Sequence, residues 1–265
     1  MTSVELVLAG LVVGVLVGST GMGAGSLMAP LLISLFNVSA VAAVGTDLLY
    51  SAGTKLVGGA RHLSLRTVNL ELSLWMAAGS VPASVLGVVT LNRLAASEGD
   101  AIQREMKDVI GIALMLVAVA VAVRTFVTIR GLWDAKVLPA DAAIERRHRV
   151  LALVVGTVFG FIFGLTSVGA GAFFGMALVT LFPLSARRVV GTDLFHGALV
   201  TCAAAIASWF LLPAMHISSI GLLMMGSVPG ILIGSQITVS LPEKALRGSL
   251  ASVLALSSLK MLGAF

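Results

Sequence analysis

The sequence has little of what a soluble protein relies on. One cysteine, Cys202, and one tyrosine, Tyr50, occur in 265 residues, and aromatic residues make up 6%. A single cysteine inside an apolar run excludes a disulfide framework and a thiolate cluster, so Cys202 reads as a small buried side chain. Charged residues are scarce as well, at 11%, where a soluble domain carries about 25%. No H-E-x-x-H metal motif, no Walker lysine motif and no serine or cysteine nucleophile with an obvious base is found. The chain therefore reads as a non-enzyme with no cofactor and no metal site. The G-x-G runs lack the strand, helix and ribose-binding acid of a dinucleotide fingerprint.

What is abundant is apolar. Hydrophobic residues reach 58% and the mean hydropathy is +1.07, a balance that belongs in lipid. The net charge of +5 and pI near 10.0 do not point to nucleic acid, because the bases lie in short breaks between apolar runs. The start, Met1 to Glu5, carries no basic segment, and a retained first membrane helix is expected rather than a cleaved signal peptide.

An internal duplication organises the chain. The stretch from Gly14 to Leu48 aligns without a gap on Gly160 to Leu194. Gly18 meets Gly164, Thr20 meets Thr166, Gly23-Ala24-Gly25 meets Gly169-Ala170-Gly171, and Gly45-Thr46-Asp47 meets Gly191-Thr192-Asp193. Further on, Gly79-Ser80-Val81-Pro82 returns as Gly226-Ser227-Val228-Pro229. Three units follow: a first transmembrane repeat over 1–130, a cytoplasmic linker over 131–147 and a second repeat over 148–265.

In each repeat the first apolar segments, 4–20 with 25–36 and 150–165 with 170–182, reach about 18–25 Å as helices and fall short of a hydrocarbon core of about 30 Å. Each pair reads as a re-entrant or broken helical hairpin with a glycine-rich tip. Longer spans are expected at 39–60, 70–92, 107–128, 185–211, 218–239 and 246–264. The fold class is thus all-α: a polytopic transmembrane helical protein with two inverted repeats, each a hairpin plus three spanning helices. Three crossings per repeat invert the second relative to the first. A periplasmic N-terminus places Arg61, Arg66, Arg124, Arg130, Lys136, Arg146, Arg147, Arg149, Arg187, Arg188, Lys244 and Arg247 on the cytoplasmic face, as the positive-inside rule requires. Fusing the second hairpin arm with the next helix would bury Arg187 and Arg188, at about 2.5–3.5 kcal/mol each.

The polar groups inside the apolar runs are the candidates for function. A broken helix leaves N–H groups that lipid cannot satisfy, and glycine lets an anion approach them; close helix packing is the competing use of such glycines. The candidate substrate-binding residues are Thr20, Gly21, Gly23, Gly25, Thr46, Tyr50, Thr166, Ser167, Gly169, Gly171, Thr192 and His196. Asp47 and Asp193 lie about 12 Å along their helices and are candidates for carrying a proton, with a structural hydrogen-bonding role as the alternative. Tyr50, Ser51 and Thr54 share a helix face with Asp47, and His196 follows Asp193 by three. Lys55, near the cytoplasmic end of its span, is expected to snorkel to the interface. Pro82 and Pro229 are expected to kink their helices.

The tip Met22 to Gly25 with Gly45 to Asp47, and Val168 to Gly171 with Gly191 to Asp193, resembles the sulfite exporter TauE/SafE family over nearly the whole chain. Members typically carry G-G-G at the tip and G-T-S or G-T-N downstream; here Ala24 and Ala170 replace the middle glycine, and aspartate ends both G-T-x triplets. The resemblance implies a bacterial inner-membrane transporter of a small sulfur-containing anion, such as sulfite or a C2–C3 organosulfonate, usually in the export direction. A passive anion channel is the alternative, with a membrane-embedded enzyme more remote. The implied partners are the anion, the lipid bilayer and protons as a coupling ion, with no nucleic acid; a homodimer is compatible with the chain.

Overall fold

The computed structural model describes residues 3–20, 28–36, 38–98, 100–129, 144–169, 171–182, 184, 186–212 and 217–240, with 252, 255–256, 258–260 and 262–263 near the C-terminus. Among the described residues nine helices follow one another and no strand occurs: α1 Ser3–Thr20, α2 Met28–Phe36, α3 Ala40–Ser64, α4 Leu70–Glu98, α5 Asp100–Ile129, α6 Arg146–Thr166, α7 Ala172–Leu181, α8 Ala186–Leu211 and α9 Ile217–Ser240. The all-α, polytopic reading stands. Among the described residues four stretches are long and apolar enough to cross a membrane: Leu70–Ser97, Arg104–Val123, Arg146–Thr166 and Arg188–Leu211. Their outward faces suit lipid, with Leu74, Leu86, Ile206 and Phe210 exposed.

The helix ends follow local chemistry. Ser39 caps α3 by accepting the amide of Ala42, and Asn69 Oδ1 accepts the amide of Leu72 at the start of α4. α2 and α7, of 9 and 10 residues, reach only about 15 Å and cannot cross. α6 corrects the expectation for the arm at 150–165. It begins at Arg146 and has 21 residues, about 30 Å, because arginine continues a helix as readily as most apolar residues do. Helices α7 and α8 are separate, as the positions of Arg187 and Arg188 demanded.

Glycine sets the packing. In α6, Gly156, Gly160 and Gly164 lie against the backbone of Met76, Ser80 and Ser84 in α4, and Gly79 and Gly87 of α4 lie against Leu153 and Phe161 of α6. Residue numbers rise together, so α4 and α6 run parallel. The ion pair from Arg149 Nε to Glu71 Oε1, 2.7 Å, joins their N-terminal ends. The same arrangement links α1 and α9: Gly10 and Gly14 face Leu223 and Ser227, while Gly226 and Gly230 face Val7 and Leu11. Helices in lipid gain little from apolar contact alone, and small residues at four-residue spacing let backbones approach closely. By contrast α3 and α8 cross antiparallel. Thr67, just past α3, meets Gly191; Gly59 meets Leu194 and Phe195; Lys55 meets Gly197.

Two substitutions test this packing. A Cβ at Gly160 would sit 2.5 Å from Ser80 Cα, whereas one at Gly221 would meet nothing within 4 Å. Gly160→Val is expected to lower stability by about 1–3 kcal/mol. Gly221→Ala is expected to leave it unchanged or raise it by up to about 1 kcal/mol. Thermal unfolding in detergent reads both, and equal effects would remove the interface argument.

Candidate functional site

The antiparallel crossing of α3 and α8 gathers the buried polar groups. Asp47, Tyr50, Ser51 and Lys55 come from α3, Asp193 and His196 from α8, and all six are buried. Asp47 to Ser51 to Lys55 is one face of one helix, each step a single turn. Ser51 Oγ donates to Asp47 Oδ1 at 3.3 Å, and Asp47 Oδ2 is buried with no hydrogen-bond partner among the described residues. Lys55 corrects the expectation that it snorkels. It is 3% exposed, and its Nζ has no hydrogen-bond partner among the described residues. The reason is that α3 continues to Ser64 and is covered by α8, so Lys55 lies in the body of the helix.

The second tip enters this interior. α6 ends at Thr166, and Ser167 adopts a left-handed conformation with φ 58° and donates its amide to Phe163 O at 2.6 Å. Gly169 follows at φ 96°, where a Cβ would strike the Phe173 ring. Here glycine is required by conformation and space together. The chain then turns back, and Phe173 stacks on Phe159 with ring centroids 5.2 Å apart. Thr166, Ser167 and Val168 are fully buried, so this irregular backbone is covered by protein, as lipid demands. Ser167 is a neighbour of the Asp47 carboxyl group, although its Oγ makes no hydrogen bond among the described residues. Gly171 stands at the N-terminus of α7, its carbonyl accepting the amide of Gly175.

The threonines serve the backbone. Thr46 Oγ1 donates to Ala42 O at 2.7 Å and Thr166 Oγ1 to Ile162 O at 2.7 Å. Thr166 Oγ1 also accepts the amide of Val168. Thr192 Oγ1 accepts the amide of Asn69 at 3.0 Å, tying the α3–α4 connection to α8. Gly21, Gly23 and Gly25 lie outside the described residues, as does the side chain of Thr20, the last residue of α1. Among the described residues no group of three or more metal-ligating side chains comes together.

Two serines that the sequence reading used only as repeat markers prove to be partners of the site. Ser80 Oγ of α4 is hydrogen-bonded to His196 Nε2 at 2.8 Å, and Ser227 Oγ of α9 is hydrogen-bonded to the Tyr50 hydroxyl. Tyr50 and His196 occupy aligned positions after the two G-T-D triplets, and Ser80 and Ser227 occupy aligned positions in the two G-S-V-P runs. The signal was available: a polar residue kept in the same place in two apolar helices needs a partner. Phe174 packs edge-on against His196, with centroids 4.4 Å apart.

Ser80→Ala would leave a buried imidazole nitrogen unpaired, and a loss of about 1–3 kcal/mol is expected. Thr90→Ala, whose exposed hydroxyl bonds only Leu86 O in its own helix, is expected to change stability by less than about 0.5 kcal/mol. Chemical or thermal denaturation in micelles distinguishes them.

Over residues 6–261 the chain matches the family described as Sulfite exporter TauE/SafE. It is 38% identical over 265 residues to the probable membrane transporter protein YjnA of Bacillus subtilis (strain 168), a similarity covering 98% of this chain and 100% of that protein. No solved structure matches it. With a match over nearly its whole length and with helices suited to crossing a bilayer, the chain belongs to the TauE/SafE sulfite exporter family and is a multi-pass membrane transporter.

Proposed function

We propose that the protein is a secondary transporter that exports a small sulfur-containing anion, sulfite or a C2–C3 organosulfonate, across the bacterial inner membrane by alternating access, with protons as the coupling ion. The observation that carries this reading is the burial of the tip at Ser167 beside Asp47, a residue of the other aligned stretch. An irregular backbone turn at the start of a helix offers amide donors to an anion, and Asp47 beside it, with Asp193 on α8, offers proton acceptors. The anion's identity and the export direction follow the family's description.

The arrangement in the membrane belongs to the same proposal. Residues 1–130 and the chain from Arg146, where α6 begins, to residue 265 are two inverted repeats joined by a cytoplasmic linker, with the N-terminus periplasmic. The antiparallel course of α3 and α8, which are aligned helices, supports inversion. The ion pair between Arg149 and Glu71 supports placing the basic residues around Arg66 and Arg146 to Arg149 on one face. Thr20, Gly21, Gly23 and Gly25 would form the matching tip from the opposite side. The threonines Thr46, Thr166 and Thr192 hold the backbone of the site, and Tyr50, Ser167, Gly169, Gly171 and His196 line it.

Counterflow in proteoliposomes tests the transport reading. Preloaded unlabelled sulfite is expected to accelerate uptake of labelled sulfite, with saturation. A flux that neither saturates nor shows counterflow would make the protein a channel. Asp47→Asn and Asp193→Asn are expected to flatten the pH dependence of exchange while the variants melt like the parent protein; unchanged profiles in both would leave the acids as structural groups.

A further inference from the structure

The most unusual group in the interior is the ammonium of Lys55. A buried cation is expensive in a membrane unless it is paired, and one without hydrogen bonds is held by charge alone. The charged and titratable groups that interact with it are Asp47 of its own helix and Asp193 and His196 of α8. The two carboxylates come from different helices, Asp193 from α8 and Asp47 from two turns earlier in α3, so the lysine links the two halves of the site. Opposite the ammonium stands Gly197, where a Cβ would lie 2.9 Å from Nζ and 3.1 Å from Cδ. The missing side chain of Gly197 is the room that the lysine occupies.

The aligned positions sharpen the point. Asp47 and Asp193 correspond, but Lys55 corresponds to Thr201, whose hydroxyl donates to Gly197 O at 2.7 Å. The centre therefore has two acids and one cation. With both acids ionised its net charge is negative, and an anion entering it would meet repulsion. With both protonated, an entering anion takes over the pairing of the lysine ammonium, and anion and lysine together leave the centre neutral. Anion entry and proton uptake are linked by this charge count, whichever arrives first.

We propose that Lys55 is the cation that receives the transported anion, held by Asp193 and Asp47 while the site is empty and released to the anion as protons neutralise these acids. This rests on the transporter reading above and adds to it a binding residue and a reason for proton coupling.

The test is binding of sulfite and of ethanesulfonate to the purified full chain in lipid nanodiscs, at mildly acidic and mildly alkaline pH, by calorimetry. The parent protein is expected to bind more tightly at the acidic pH. K55R is expected to keep binding, and K55M to lose about tenfold or more in affinity. Because K55M leaves two buried acids without their cation, K55M/D193N is measured beside it; it is expected to melt near the parent protein and still to bind about tenfold more weakly or worse. D193N alone, which keeps the lysine, is expected to show a smaller affinity difference between the two pH values. Parent-like affinity in K55M/D193N, or a full pH dependence in D193N, would overturn the inference while leaving the transporter reading in place. Absence of binding of either probe by the parent protein would instead overturn the anion assignment, and the role of Lys55 would fall with it.

Discussion

Close backbone contact between helices from different parts of the chain is the constraint on which the rest depends. α6 lies on α4 through Gly156, Gly160 and Gly164, and α1 lies on α9 through Gly10 and Gly14. In each pair one helix leads into a short helix and the other carries the G-S-V-P run. Each aligned stretch is thus completed by a helix from beyond the other. The tip at Ser167 can be irregular because α6 is clamped over its length, and the turn that follows is buried among side chains rather than in lipid. Were the glycines larger, the helices would separate, and the amides of the tip would lose their cover.

The same contacts decide where the polar groups meet. With α4 fixed on α6 and α9 on α1, Ser80 and Ser227 stand beside the α3–α8 crossing and hold His196 and Tyr50. One geometric slot, used twice, is filled by an imidazole in one place and a phenol in the other. The slot keeps a hydrogen bond to serine in both. What varies is the ring that the serine positions, so the framework is common while the chemistry facing the interior is not.

Much of this was legible in the residues. Periodic apolar runs placed α3, α4, α5 and α8 within several residues of their observed positions, and the repeated G-T-D and G-S-V-P runs marked helices that do meet at the centre. Three features were not legible, each for a physical reason. The basic turn Arg146 to Arg149 reads as a linker, yet arginine is a good helix former and α6 starts there. The glycines of α1 and α6 carry no sign of which helix they touch, since a missing side chain is compatible with any partner. Lys55 was misplaced because its depth depends on where α3 ends, and α3 runs on to Ser64 beneath α8.

The departures from strict repetition that alter the chemistry lie at the α3–α8 crossing. The two stretches share most of the glycine contacts: Gly10 and Gly14 of α1 correspond to Gly156 and Gly160 of α6, and Gly79 of α4 to Gly226 of α9, while Gly230 has Ala83 as its counterpart. At the α3–α8 crossing they diverge: Tyr50 against His196, Ser51 against Gly197 and Lys55 against Thr201. The first difference keeps a hydrogen bond. The other two belong together, because Lys55 fits only where position 197 has no side chain. A lysine at 201 would need the same vacancy at the aligned position, which Ser51 fills while bonding Asp47. One cation per centre is therefore a steric consequence of the pair Ser51 and Gly197, and the charge asymmetry of the site follows from packing rather than from charge alone.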